Sequence, residues 1–139
     1  MPGSISDLVI FDSSIVIGQI RANRHLDRLR KIDGLVRNSS VVLAELWRGC
    51  ASPVDRRTVE TLERSHPIFT PTANNWLDSG RILARMQKDH GFEAHKLRDL
   101  HFDVLIALTA RSHGARLITS NRGDFELIRS YREFKPEVW

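Results

Sequence analysis

Short, wholly apolar runs alternate along this chain with longer stretches in which apolar residues recur every three or four positions, and this alternation limits it to few folds. Leu8-Val9-Ile10-Phe11 is too short for a helix and too uniformly apolar for a strand with a wet face, so it reads as a buried strand. Residues 115–119 read the same way, residues 35–37 as a second short strand, and residues 131–135 as an edge strand. Residues 67–71 carry a proline at each end and are expected to be extended. Between these runs the pattern predicts helices over 14–19 (capped by Ser13), over 22–31, from Ser39 or Ser40 to about 50, over 54–64, from a Thr72 cap to His90, over 100–113 and over 124–130. Gly91 and Gly114 are expected to stop two of them. The expectation is an α/β domain with a mainly parallel sheet, residues 1–139 forming one domain with no repeat and no linker.

With 139 residues, 41% of them apolar, the chain can bury a core without a disulfide or a structural metal. Its lone cysteine, Cys50, cannot pair internally, which fits a reducing compartment. No apolar run reaches the length of a membrane span, and the opening residues have neither a basic segment nor a long apolar one, so a cytoplasmic, membrane-free protein is expected. The net charge of +4 is compatible with an anionic partner and does not establish one.

Four acids stand where acids are unwelcome. Asp12 ends the first apolar run, Glu45 lies inside Val41-Val42-Leu43-Ala44-Glu45-Leu46-Trp47, Asp103 inside Phe102-Asp103-Val104-Leu105-Ile106-Ala107-Leu108, and Asp124 precedes Phe125 just past the strand that ends at Thr119. Each alone has a plain explanation: a strand end, an exposed helix position, or a helix cap. Together they need one reason, because an unpaired buried carboxylate costs several kcal/mol or gives up its charge. If they converge they repel, by roughly 4 kcal/mol for a pair about 4 Å apart at an effective dielectric near 20. A divalent cation removes that repulsion. Oxygen donors favour Mg²⁺ or Mn²⁺, and such an ion suits phosphodiester hydrolysis.

These same residues resemble the PIN-domain ribonucleases and, within them, the VapC toxins of bacterial toxin–antitoxin modules. The likeness runs through Val9-Ile10-Phe11-Asp12-Ser13-Ser14-Ile15 and Val42-Leu43-Ala44-Glu45-Leu46-Trp47-Arg48-Gly49, and is strongest in Phe102-Asp103-Val104-Leu105-Ile106-Ala107-Leu108. There follow Leu117-Ile118-Thr119-Ser120-Asn121-Arg122-Gly123-Asp124-Phe125 and the ending Pro136-Glu137-Val138-Trp139. The resemblance implies a three-layer α/β/α domain and a Mg²⁺- or Mn²⁺-dependent endoribonuclease acting on RNA. It also implies a homodimer held in check by a small VapB-like antitoxin. Asp12, Glu45 and Asp103 match the family's three central acids. The family's last acid falls either where Asn121 stands or where Asp124 stands; Asp124 is favoured, with Ser13, Thr119 and Asn121 in supporting roles.

Asp99, four residues before Asp103, would share its face in a continuous helix. Arg21, Arg24, Arg28 and Lys31 recur at helical spacing, as a solvated face or as an RNA-tracking rim. The six histidines include no H-x-x-x-H pair, which disfavours zinc. Trp47 and Trp76 are expected in the core or at a dimer face. A haloacid-dehalogenase-like phosphotransferase would resemble Asp-x-Asp, and the second position here is Ser14. A PIN-like scaffold that binds RNA or protein without cutting is the remaining alternative, and retention of all four acids speaks against it.

Overall fold

The computed structural model describes residues 7–139. The reading of the opening residues as free of a signal segment rests largely on 1–6, outside the described residues. Five strands, β1 (Leu8–Phe11), β2 (Leu35–Ser39), β3 (Ile68–Phe69), β4 (Arg116–Thr119) and β5 (Lys135–Val138), form one sheet in the order β3-β2-β1-β4-β5. Every neighbouring pair is parallel, so the sheet is wholly parallel where the sequence indicated mainly parallel. Seven helices among the described residues complete the three-layer α/β/α arrangement: α1 (Ser13–Ala22), α2 (Leu26–Arg30), α3 (Ser40–Arg48), α4 (Pro53–Ser65), α5 (Ala73–His90), α6 (Ala94–Ser112) and α7 (Arg122–Arg129).

The strands alternate in the faces they bury. Ile10 and Leu117 join the larger core with Val42, Leu100, Val104 and Phe125. Val9 and Ile118 point the other way, against Ile15, Ile32 and Trp139. Both faces of β1 are therefore covered, which is why its sequence is apolar throughout. Gly34 admits β2 beside β1: its φ is +128°, and a Cβ there would stand 2.7 Å from the Asp7 carbonyl oxygen. From β1 the chain steps outward to β2 and β3, then returns to the other side of β1 with β4 and β5. That reversal opens a crevice at the carboxyl ends of β1 and β4, the place where α/β sheets gather their ligands.

Several boundaries differ from the sequence reading. Asp12, not Ser13, is the N-cap of α1, and α1 runs to Ala22. Of the helix expected over 22–31 only Leu26–Arg30 forms, as α2; Ala22 ends α1, and Asn23, left-handed at φ 50°, turns the chain between the two. Asn tolerates that conformation better than most residues, and a periodicity count does not register it. The last helix before β4 begins at Ala94, so Asp103 is interior to α6 and not its N-cap. The edge strand is Lys135–Val138 and not 131–135; Phe134, just before it, supplies the buried side chain. Trp47 packs on the core as expected, whereas Trp76 is 52% exposed. No helix among the described residues is long and apolar enough to cross a membrane.

Candidate functional site

Asp12 leaves the end of β1 at the crevice, with its backbone N–H donating to the Ile118 carbonyl of β4. Its side chain is 3% exposed. Two hydroxyls, Ser14 Oγ and Thr119 Oγ1, each donate to Asp12 Oδ2 at 2.8 Å. Ser14 Oγ also accepts the Ser120 N–H at 3.0 Å, and Thr119 Oγ1 accepts the Asn121 N–H at 2.9 Å. These bonds lace the first turn of α1 to the loop that follows β4, and they fix one oxygen of Asp12 while the other, Oδ1, is buried without a partner.

Glu45 reaches the same pocket from α3, Asp103 from α6 and Asp124 from α7, with Asp99, Asn121 and Arg48 also on its walls. Glu45 can sit inside an apolar stretch because the buried positions around it, Val41, Val42 and Leu46, carry the packing of α3. Asp103 sits at the start of the most enclosed part of the fold: from Val104 to Ala110 every side chain of α6 is buried. Asp124 is in the first turn of α7, where Asn121 caps the helix by accepting the Asp124 N–H and donates from Nδ2 to Asp124 Oδ2 at 3.1 Å. Lys96 Nζ holds the other oxygen, Oδ1, at 3.0 Å.

The electrostatics follow from this convergence. Burial, then the negative charge of Asp12, pushes Glu45 up to about 7, against the pull of Arg48 and a hydrogen bond from Ser13. Burial, then Asp12, Glu45 and Asp124, pushes Asp103 up to about 8, with Lys96 pulling the other way. Glu45 Oε1, like Asp12 Oδ1, is buried with no hydrogen-bond partner. Two orphaned carboxylate oxygens and two carboxyls reluctant to ionise describe a site short of positive charge, and an all-oxygen donor set suits Mg²⁺ or Mn²⁺. The donors fit such an ion in chemistry. In spacing they stand apart: among the described residues no three His, Cys, Asp or Glu side chains are gathered tightly enough to coordinate one. Any ionised pair among them resists a tighter cluster, and Lys96 holds one oxygen of Asp124.

Of the sequence-nominated residues, Asp12, Ser13, Glu45, Asp103, Asn121 and Asp124 line one pocket, and Thr119 lies directly behind Asp12. Asp99 lines it too, on the α6 face it shares with Asp103. The basic stripe does not survive as one face. Arg21 and Arg24 border a neighbouring pocket, Arg28 lies 5.6 Å over the Trp139 ring, and Lys31 caps the end of α2. The Asn23 turn is the cause. Two residues were not foreseen. Ser14 does the bracing expected of Ser13; a hydroxyl two residues past an N-capping aspartate was the available signal. Lys96 left no signal, since its partner is 28 residues away and only the packing of α6 on α7 joins them.

A family model described as "PIN domain" matches residues 9–130. No curated protein matches the chain. Among solved structures, the chain is similar to VapBC-1 from nontypeable Haemophilus influenzae, with a TM-score of 0.69 and 21% identity over 95% of this chain and 98% of that one. VapBC2 from Rickettsia felis, bound to a DNA fragment from its promoter, gives 0.69 and 20% over 95% and 98%. VapBC-5 from Mycobacterium tuberculosis, described as a member of a family of toxin–antitoxin systems, gives 0.62 and 20% over 95% and 98%. At these identities the three likenesses bear on the fold.

Proposed function

The chain belongs to the PIN-domain family, and from that premise we propose that it is a metal-dependent endoribonuclease, the VapC-like toxin of a toxin–antitoxin pair. The observation that carries this reading is the meeting of Asp12, Glu45, Asp103 and Asp124, from four separate elements, around one pocket with two orphaned carboxylate oxygens. Asp12 is the anchor, with Oδ2 held by Ser14 and Thr119 and Oδ1 left for an ion. Glu45, Asp103 and Asp124 complete the donor set, and Asn121 orients Asp124. Bound there, Mg²⁺ or Mn²⁺ would lower the pKa of a water and offset charge gathering on a phosphate. Lys96 pairs with Asp124, and that carboxylate would be the one to exchange its ammonium partner for an ion.

The experiment is incubation of the purified protein with total cellular RNA, with Mg²⁺ or Mn²⁺ and with EDTA, read by 5′-end mapping. Discrete metal-dependent cuts are expected. Equal cutting in EDTA overturns the metal role. RNA binding with no cutting in either metal overturns the enzyme and favours the scaffold alternative. A phosphotransferase finds no support, since Ser14 occupies the second acid position and spends its hydroxyl on Asp12.

The antitoxin is proposed from the kind of assembly named among the structural neighbours. An apolar cleft beside α1 and α4, lined by Phe11, Ile15, Ile20, Leu29 and Leu62, offers such a partner an apolar surface. The homodimer, the single domain over 1–139 and the cytoplasmic location complete the proposal; light scattering that finds only monomer at micromolar concentration overturns the dimer.

A further inference from the structure

A second pocket opens directly beside the acidic one and shares Ser14 and Ile17 with it. Its remaining wall carries two arginines, Arg21 and Arg24, with His25, Ser120 and Ala22 around Gly18. The Asn23 turn builds it, because the reversal brings Arg24 back beside the end of α1 that carries Arg21. Gly18 keeps it open and close to His25: a Cβ there would meet the imidazole Nε2 at 3.2 Å. The His25 ring lies 5.6 Å from the Trp139 ring, and the His25 backbone N–H donates to Gln19 Oε1. Arg21 and Arg24 are exposed, and among the described residues neither has an ion pair or a side-chain hydrogen bond. They stand as two uncommitted guanidiniums next to a site of four carboxylates. Positive charge would relax that acidic site if it were turned onto it, yet neither arginine is paired with any of the four.

We infer that this pocket is the seat of an RNA backbone phosphate flanking the one that is cut, gripped by Arg21 and Arg24 with Ser120 and His25 as further hydrogen-bonding groups. The inference rests on the ribonuclease reading and adds the place and direction of the strand. Ser14, Ile17, Gly18 and Arg21 follow one another along a single face of α1, and seven residues of helix rise about 10 Å. A strand with its reacting phosphate at the acids therefore lies along α1, and its next phosphates come over the arginines. Guanidinium is suited to this seat, since its planar fork matches phosphate oxygens. Burial and the neighbouring Arg28 and Arg24 lower the pKa of His25 in the unliganded protein. Its two arginines distinguish this pocket from the cleft beside α1 and α4, which has no Arg or Lys on its walls and suits a protein segment.

The test is fluorescence anisotropy of a fluorescein-labelled single-stranded RNA of mixed sequence, titrated in EDTA so that binding is read without cleavage. R21A, R24A and the double variant are compared with R81A, an exposed arginine on α5 that lines neither pocket. Each seat arginine is expected to lower the slope of log affinity against log salt by about 0.7, the value for one single-strand phosphate contact, and R81A to leave it unchanged. An unchanged slope in the double variant overturns the seat and leaves this face to a protein partner. An equal loss in R81A also overturns it, because diffuse charge would then explain the binding. Failure of the parent reading is separate: wild type that shows the arginine-dependent slope but never cuts RNA with Mg²⁺ or Mn²⁺ keeps the seat and removes the nuclease.

Discussion

Glu45 and Asp103 give up their protons only near or above neutral pH, because each is buried and each faces Asp12. A neutral isostere at either position should separate what the fold needs from what the chemistry needs. Asp103→Asn keeps the shape of the side chain and removes one member of a repelling group. The variant is expected to melt at or above the wild-type temperature in EDTA, and to gain less than wild type on addition of Mg²⁺, since ligand stabilisation scales with affinity for the folded state. Cleavage should fall by more than about 100-fold, the upper end of what losing an outer hydrogen-bond partner of a metal ligand costs. Near-normal cleavage together with an unaltered Mg²⁺ shift removes Asp103 from the site. Differential scanning fluorimetry and a cleavage assay on the same preparation read both halves.

At the scale of the element, the turn between α1 and α2 decides where the basic side chains go: it places Arg21 and Arg24 on one pocket and sends Arg28 to Trp139. Asn23 is held left-handed there at φ 50°. Asn23→Gly should leave stability near wild type, whereas Asn23→Ala should lose about 1 kcal/mol, the scale of the left-handed penalty for an ordinary side chain. Urea denaturation measures the difference, and equal stability of the two variants would show that the turn is not strained. This turn is also where the sequence was least legible. Periodicity marked β1, β4, α4 and α5 closely, because those elements are specified by their own local pattern and caps, such as Thr72 before α5 and Gly91 after it. It ended the first helix early, began the second at 22 and read Arg21, Arg24, Arg28 and Lys31 as one stripe, because one residue in an unusual backbone state leaves the spacing of charges intact. It placed the edge strand several residues early because an outer strand has only one neighbour and a weak pattern. The four acids were visible as misplaced charges and Ser14 by its place two residues past Asp12, but the ammonium of Lys96 acts across the fold and has no signature in its neighbours.

For the whole molecule, the raised carboxyls link stability to pH. Their folded values, about 7 for Glu45 and about 8 for Asp103, lie above the ordinary 4.5 and 3.8. Between those limits the folded state binds more protons than the unfolded one, so stability falls as pH rises through the folded values and is recovered as pH is lowered. Metal-free protein is therefore expected to melt progressively higher as pH drops from about 9 to about 7, a range in which ordinary histidines are largely neutral and the lowered His25 and His101 add little. A Glu45→Gln, Asp103→Asn double variant should lose most of this slope. A flat wild-type profile in EDTA would show that the two carboxyls do not meet the repulsion described.

The strand order has a consequence in time. Asp12 is translated early, while its partner Thr119 stands 107 residues later and Asp124 later still. At about 5–20 residues per second, the ribosome needs several seconds to span that interval. Throughout it, β1 has no β4 beside it, the Asp12 carboxylate has no Thr119 hydroxyl, and the acidic pocket has no fourth wall. Under the proposed function, a chain wired in this order would complete its acidic pocket only once α7 has docked, and the RNA from which it is translated would be spared until synthesis is nearly finished.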